Sequence, residues 1–168
     1  MAKISELEKY AEEYRFGIAA IEDSDLRHVY TLQLEENCYH IPILIYPRAF
    51  VGKYARLRKG CVVEAMAMIQ SGSNLGIGVL VSSGAVVSHS TFIGDYCHLC
   101  AGSVVAEQSW MKMGTNLEAG KVFSGIDDLN ESDIQTEKQG LETVDSNSDW
   151  IQEYKEKYGR EPNLFDGC

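Results

Sequence analysis

The chain has 168 residues, 45% of them hydrophobic, enough for one ordinary domain with a real core. Its net charge of -10 argues against nucleic acid as a partner. No run of about 18 apolar residues offers a membrane span, and the charged first thirty residues lack an apolar signal segment, so a cytoplasmic protein is expected.

The charge is uneven. Residues 1–50 carry 5 basic and 9 acidic side chains, residues 51–123 carry 6 and 4, and residues 124–168 carry 4 and 12. These three stretches are also the expected architectural pieces.

The first piece reads as a short α/β segment. Ser5 to Tyr14 is a predicted helix, Phe16 to Ile21 a strand, Ser24 to Glu36 a helix and Ile41 to Tyr46 a second strand. No glycine-rich phosphate turn lies within it, so dinucleotide binding is unsupported.

The middle piece is governed by a strict six-residue period. Stepping by six from Val51 gives Leu57, Val63, Ile69, Leu75, Val81, Val87, Ile93, Leu99, Val105, Met111, Leu117 and Phe123, all apolar. Four residues beyond each lies a small or β-branched side chain, from Ala55 and Cys61 to Thr115, until Lys121 breaks the series. A helix would show a 3.6 period, and a simple hairpin sheet would alternate without a six-residue phase. Six residues fit one short strand plus a corner, and three such units close a triangular turn. Residues 51–123 are therefore expected to form a left-handed parallel β-helix of hexapeptide repeats, a mainly β fold with three inner aliphatic columns.

Beyond Phe123 the acidic stretch to residue 147 reads as a loop or loose cap. A carboxy-terminal helix is expected from Asp149, with Trp150, Ile151, Tyr154 and Tyr158 as its apolar stripe.

Five cysteines fit reduced thiols. Cys97 and Cys100 form a CxxC around His98, but no second pair with ligand spacing accompanies them, and no metal is expected. A zinc carbonic anhydrase on such a coil would need three histidine ligands per site, and the coil offers only His89 and His98. Counted from the inner aliphatics, His89 falls third in its hexad and is expected to project from a strand face. His98 ends the next hexad, at a corner. A histidine on a rigid rung suits a general base, because neutral imidazole takes a proton near pH 7.

The string Ala85-Val86-Val87-Ser88-His89-Ser90-Thr91-Phe92-Ile93-Gly94-Asp95-Tyr96-Cys97-His98-Leu99-Cys100-Ala101-Gly102, with the upstream Ile41 to Ala49, carries a resemblance. It resembles hexapeptide-repeat acetyltransferases of the sialic acid O-acetyltransferase and bacillosamine-pathway N-acetyltransferase type, in a shortened and divergent form. The resemblance implies a homotrimer with acetyl-CoA as co-substrate between adjacent coils, and a sugar or nucleotide sugar as acceptor. It implies His89 as the general base and His98 as a contact to the thioester end of acetyl-CoA. The chain departs from the family pattern at Ser90, where a carboxylate is usual, and at Glu107, where a glycine meets acetyl-CoA. Stepping by eighteen stacks Ser71, His89 and Glu107 in one outer column. Glu107 thus has three readings: a catalytic partner orienting His89, a side chain filling the cofactor-binding pocket, or a solvated surface acid. The alternative to an enzyme is a catalytically silent trimeric scaffold or binding protein.

Overall fold

The computed structural model describes residues 7–11 and 13–126. The expected carboxy-terminal helix and most of the acidic loop lie outside the described residues.

Two helices open the chain, α1 (Leu7–Tyr10) and α2 (Ser24–Glu36). Asp23 caps α2 by accepting the Leu26 N–H at 2.8 Å, satisfying a donor that the first helical turn leaves without an intrahelical partner. The helix ends at Asn37, and Cys38 then takes a left-handed conformation (φ 62°) that turns the chain toward the coil. The bounds of α2 are those expected from the sequence. The flanking strands are not. Phe16 to Ile21 makes only an isolated bridge from Phe16 to His40. Of Ile41 to Tyr46, only Leu44–Ile45 is a ladder strand, and it pairs with Val62–Val63 of the coil. Ile45 stands one step of six before Val51, so the periodicity claims it for the coil and leaves no separate amino-terminal sheet among the described residues.

The coil is built from two-residue strands, numbered β1 to β14 from Leu44 to Phe123. They stack into three parallel faces, each strand pairing with the one 18 residues on, as Leu44 does with Val62. Face one holds β1 (Leu44–Ile45), β4 (Val62–Val63), β7 (Leu80–Val81), β10 (His98–Leu99) and β13 (Asn116–Leu117). Face two holds β2 (Phe50–Val51), β5 (Met68–Ile69), β8 (Val86–Val87), β11 (Val104–Val105) and β14 (Val122–Phe123). Face three holds β3 (Arg56–Leu57), β6 (Asn74–Leu75), β9 (Phe92–Ile93) and β12 (Trp110–Met111). The result is a left-handed β-helix of about 4 turns.

The second residue of each strand points inward. Val63, Ile69, Leu75, Val81, Val87, Ile93, Leu99, Val105 and Met111 are essentially sealed from solvent. Burial of each contributes about 1.5–3 kcal/mol, offset by the entropy of ordering the chain. The small series from Cys61 to Ser109 lies inside as well, and most of its polar members find partners there, the Ser103 hydroxyl being the exception among the described residues. Ser73 Oγ donates to the Ser88 carbonyl at 2.7 Å, and Thr91 Oγ1 donates to the same carbonyl at 2.7 Å. Cys61 and Cys97 point their thiols at the carbonyls of Gly76 and Lys112, 3.1 and 3.0 Å away. Burial pushes the Cys61 thiol up to about 12, so it is a packing group rather than a nucleophile.

Among the described residues, no helix is long and apolar enough to cross a membrane.

Candidate functional site

The corners decide where the chemistry-bearing side chains stand. Three residues after each inner aliphatic the backbone turns with positive φ, and glycine fills most of these positions, as at Gly72 and Gly84. The corner between faces two and three is different. There the turning residues are Tyr54 (φ 66°), Gly72 (φ 74°), Ser90 (φ 56°) and Gln108 (φ 56°). A left-handed conformation costs a residue with a Cβ about 1–2 kcal/mol. Backbone strain of this kind collects at functional sites, where surrounding structure enforces it.

His89 sits in this corner, just before Ser90, exposed to solvent. Its N–H donates to Gln70 Oε1 at 3.1 Å, and its carbonyl accepts the Gln108 N–H at 3.2 Å. The Ser90 N–H in turn donates to the Ser71 carbonyl at 3.2 Å. The turn is thus held by the rungs before and after it, while the imidazole itself has no hydrogen-bond or ion-pair partner among the described residues. Glu107 occupies the equivalent position one rung later and is also exposed. Ser71, His89 and Glu107 form the expected column, but among the described residues no hydrogen bond or ion pair joins Glu107 to His89.

His98 lies on a strand. It is the outward residue of β10, flanked in register by Leu80 and Asn116, and is only 7% exposed. Its Nε2 lies 3.0 Å from Ser82 Oγ, and Cys100 Sγ is 3.9 Å from Nδ1. Burial, followed by the nearby Arg27 guanidinium, holds its pKa below the ordinary imidazole value. Cys100 also faces outward, whereas Cys97 is in the core, so the CxxC is split between the two sides of the wall. Among the described residues no three His, Cys, Asp or Glu side chains gather as metal ligands.

These placements reverse two expectations. His89 is at a corner and not on a strand face, and His98 is on a strand and not at a corner. The strand consists of the inward aliphatic and the residue before it, so residues after the aliphatic already belong to the turn. A second consequence follows from the triangle. The corner between faces two and three lies opposite face one, so one coil does not bring His89 and His98 together.

Sequence reasoning missed Arg27, Ser82 and Gln70. Arg27 is 2% exposed, and every hydrogen bond it makes goes to a backbone carbonyl, which no residue pattern announces. Ser82 and Gln70 could have been found by asking which polar side chains lie within two residues of the positions one rung below each histidine.

This architecture defines a hexapeptide-repeat left-handed β-helix with a histidine on a strained corner. No protein-family model and no curated protein matches the sequence. Among solved structures, the chain is similar to the acetyltransferase domain of PglB from Neisseria gonorrhoeae FA1090. It shares 28% identity and a TM-score of 0.57 with that domain, over 66% of this chain and 63% of the other. The chain therefore spans under two thirds of that domain's length. A second structure of the domain, in complex with acetyl coenzyme A, gives 25% identity and a TM-score of 0.61 over 76% of this chain and 72% of the other. PerB from Caulobacter crescentus, in complex with CoA and GDP-perosamine, matches at 25% identity and a TM-score of 0.54 over 73% and 63%.

Proposed function

We propose that this chain is an acetyltransferase that moves the acetyl group of acetyl-CoA to a hydroxyl or amine of a sugar or sugar nucleotide. The observation that carries the reading is its likeness to the acetyl-CoA-bound gonococcal domain, together with His89 standing solvent-facing on a braced corner. The acceptor class follows PerB, whose structure holds CoA and a nucleotide sugar.

In this reading His89 takes the proton of the acceptor as its oxygen or nitrogen attacks the thioester carbonyl. The carbon–sulfur bond then breaks, and the CoA sulfur leaves with the proton returned from His89. Backbone N–H groups hold the charge that develops on the carbonyl oxygen. Holding both substrates in attack geometry supplies most of the acceleration, with no covalent enzyme intermediate. His98, neutral and fixed on β10, contacts the thioester end of acetyl-CoA.

The site belongs to a homotrimer in this reading. His89 and His98 lie on opposite sides of one prism, so only the corner of one copy beside face one of the next can unite them. Face two supports assembly, because its outward column of Phe50, Met68, Val86, Val104 and Val122 is wholly apolar, with Phe50 and Val122 more than half exposed. Glu107, one rung above His89, favours a second reading, a trimeric scaffold whose acetyl pocket is filled by that carboxylate.

Calorimetric titration with acetyl-CoA, run beside the molar mass in solution, tests the proposal. Saturable binding by a trimer, weakened in His98→Ala, is the expected result. A folded trimer that ignores millimolar acetyl-CoA would leave the scaffold.

A further inference from the structure

The buried Arg27 is not explained by the transferase reading. Its guanidinium makes contacts on two sides. Toward the coil, Nε donates to the Gly78 carbonyl at 2.8 Å, and Nη2 donates to those of Tyr96 and Cys97 at 2.6 and 3.3 Å. Toward its own segment, Nη1 donates to the carbonyls of Ile21 and Glu22, both at 2.7 Å. The next residue of the helix, His28, stacks on the Tyr96 ring with centroids 4.5 Å apart. The chain entering α2 is thereby clasped against the backbone that leads directly into His98.

We propose that Arg27 is a positioning residue for His98: it fixes the Tyr96–Cys97 backbone and holds the Ile21–Glu22 segment beside the imidazole. This rests on the reading of His98 as a contact to the acetyl-CoA thioester. An apolar side chain could fill the same space, but only a planar fork with five donors can serve carbonyls on both partners at once. The clasp brings Arg27 and Glu22 within electrostatic reach of a ring that is only 7% exposed on the outer wall of the coil. The charge has a second effect. The groups facing the ring are Arg27 from the helix, Glu22 from the segment before it, and Glu64, Ser82 and Cys100 from the coil. Burial and Arg27 outweigh the two carboxylates, so the ring is kept neutral, with one ring nitrogen left to donate and the other to accept.

The test follows the His98 imidazole by nitrogen NMR in the full-length protein, assigned with His98→Gln, in wild type, Arg27→Lys and Arg27→Gln. Acetyl-CoA affinity is measured alongside. Arg27→Gln is expected to raise the His98 midpoint by roughly half a pH unit or more, because the repelling charge is gone. Arg27→Lys keeps a charge but not the fork. It is expected to move the Nε2 resonance away from its hydrogen-bonded position and to weaken acetyl-CoA binding roughly tenfold. An unchanged midpoint and Nε2 resonance in both folded variants would overturn the proposal. Should neither variant fold, the wild type decides: Arg27 guanidinium protons that exchange as fast as those of surface arginines sink the clasp, and protected ones support it. Wild type that binds no acetyl-CoA removes the transferase reading, while the NMR measurements still decide the role of Arg27.

Discussion

His89 and His98 are nine residues apart on the same coil, yet their surroundings are opposite. His89 is exposed on a corner whose backbone is strained and braced by neighbouring rungs. His98 is on a flat strand, covered, hydrogen-bonded and beside a buried guanidinium. For the proposed acetyl transfer, the difference amounts to a division of labour. A side chain that must exchange protons with an incoming acceptor needs access and a fixed anchor. One that must present a constant hydrogen bond needs a fixed protonation state.

The largest effect should come from the exposed partner. His89→Ala is expected to lower acetyl-transfer kcat by roughly 10²–10⁴-fold while leaving the thermal midpoint within a degree or two. Substantial unfolding in that variant would mean that the corner is structural, and the contrast would fail. The next effect concerns the wall beneath His98. Leu99→Ala empties a fully buried site and should cost about 2–5 kcal/mol in a denaturant titration. A loss under 1 kcal/mol would show a loosely packed coil, unable to hold a ring in place.

The inner aliphatic series of the coil was legible in the sequence, because a six-residue phase marks it, whereas the small series, expected only as corner residues, is buried as well. The corner was not legible, since that phase alone does not say where within six residues the chain bends. The missing signal was present as glycine: Gly60, Gly72, Gly78, Gly84, Gly102, Gly114 and Gly120 all stand three residues after an inner aliphatic, each with positive φ. Read with that rule, His89 falls in a turn and His98 on a strand. The clasp at Arg27 was beyond such reading, because its partners are carbonyls far along the chain, which every residue possesses.

A third prediction sharpens the contrast through pH. The folded His98 binds protons less readily than an unfolded histidine, so between its lowered pKa and the ordinary 6.5 the unfolded chain holds more protons. Stability should therefore fall as pH is lowered through that window and recover above it. His98→Gln is expected to flatten this part of the profile, checked by thermal midpoints between pH 7 and 5. An unaltered slope would mean that the burial of His98 carries no cost. The smallest effect is at the corner itself. Ser90→Gly relieves the positive φ but loosens the unfolded chain, and the two terms nearly cancel, leaving a change of about 0.5 kcal/mol or less. A gain well above 1 kcal/mol in a calorimetric melt would show that the strain at this turn is larger than the rungs around it suggest.

The uniform pairing of each strand with the one 18 residues on has a consequence for how such a chain can change length. A single inserted residue within a strand would send every later aliphatic to the outside and every outward residue to the core. Eighteen inserted residues in phase would instead add one complete turn and leave both neighbours their hydrogen bonds. Length variation in this coil should therefore come in whole turns, or as loops extruded at corners. A corner such as that at Gly84, where an added Cβ meets nothing within 4 Å, is where an insertion would be tolerated.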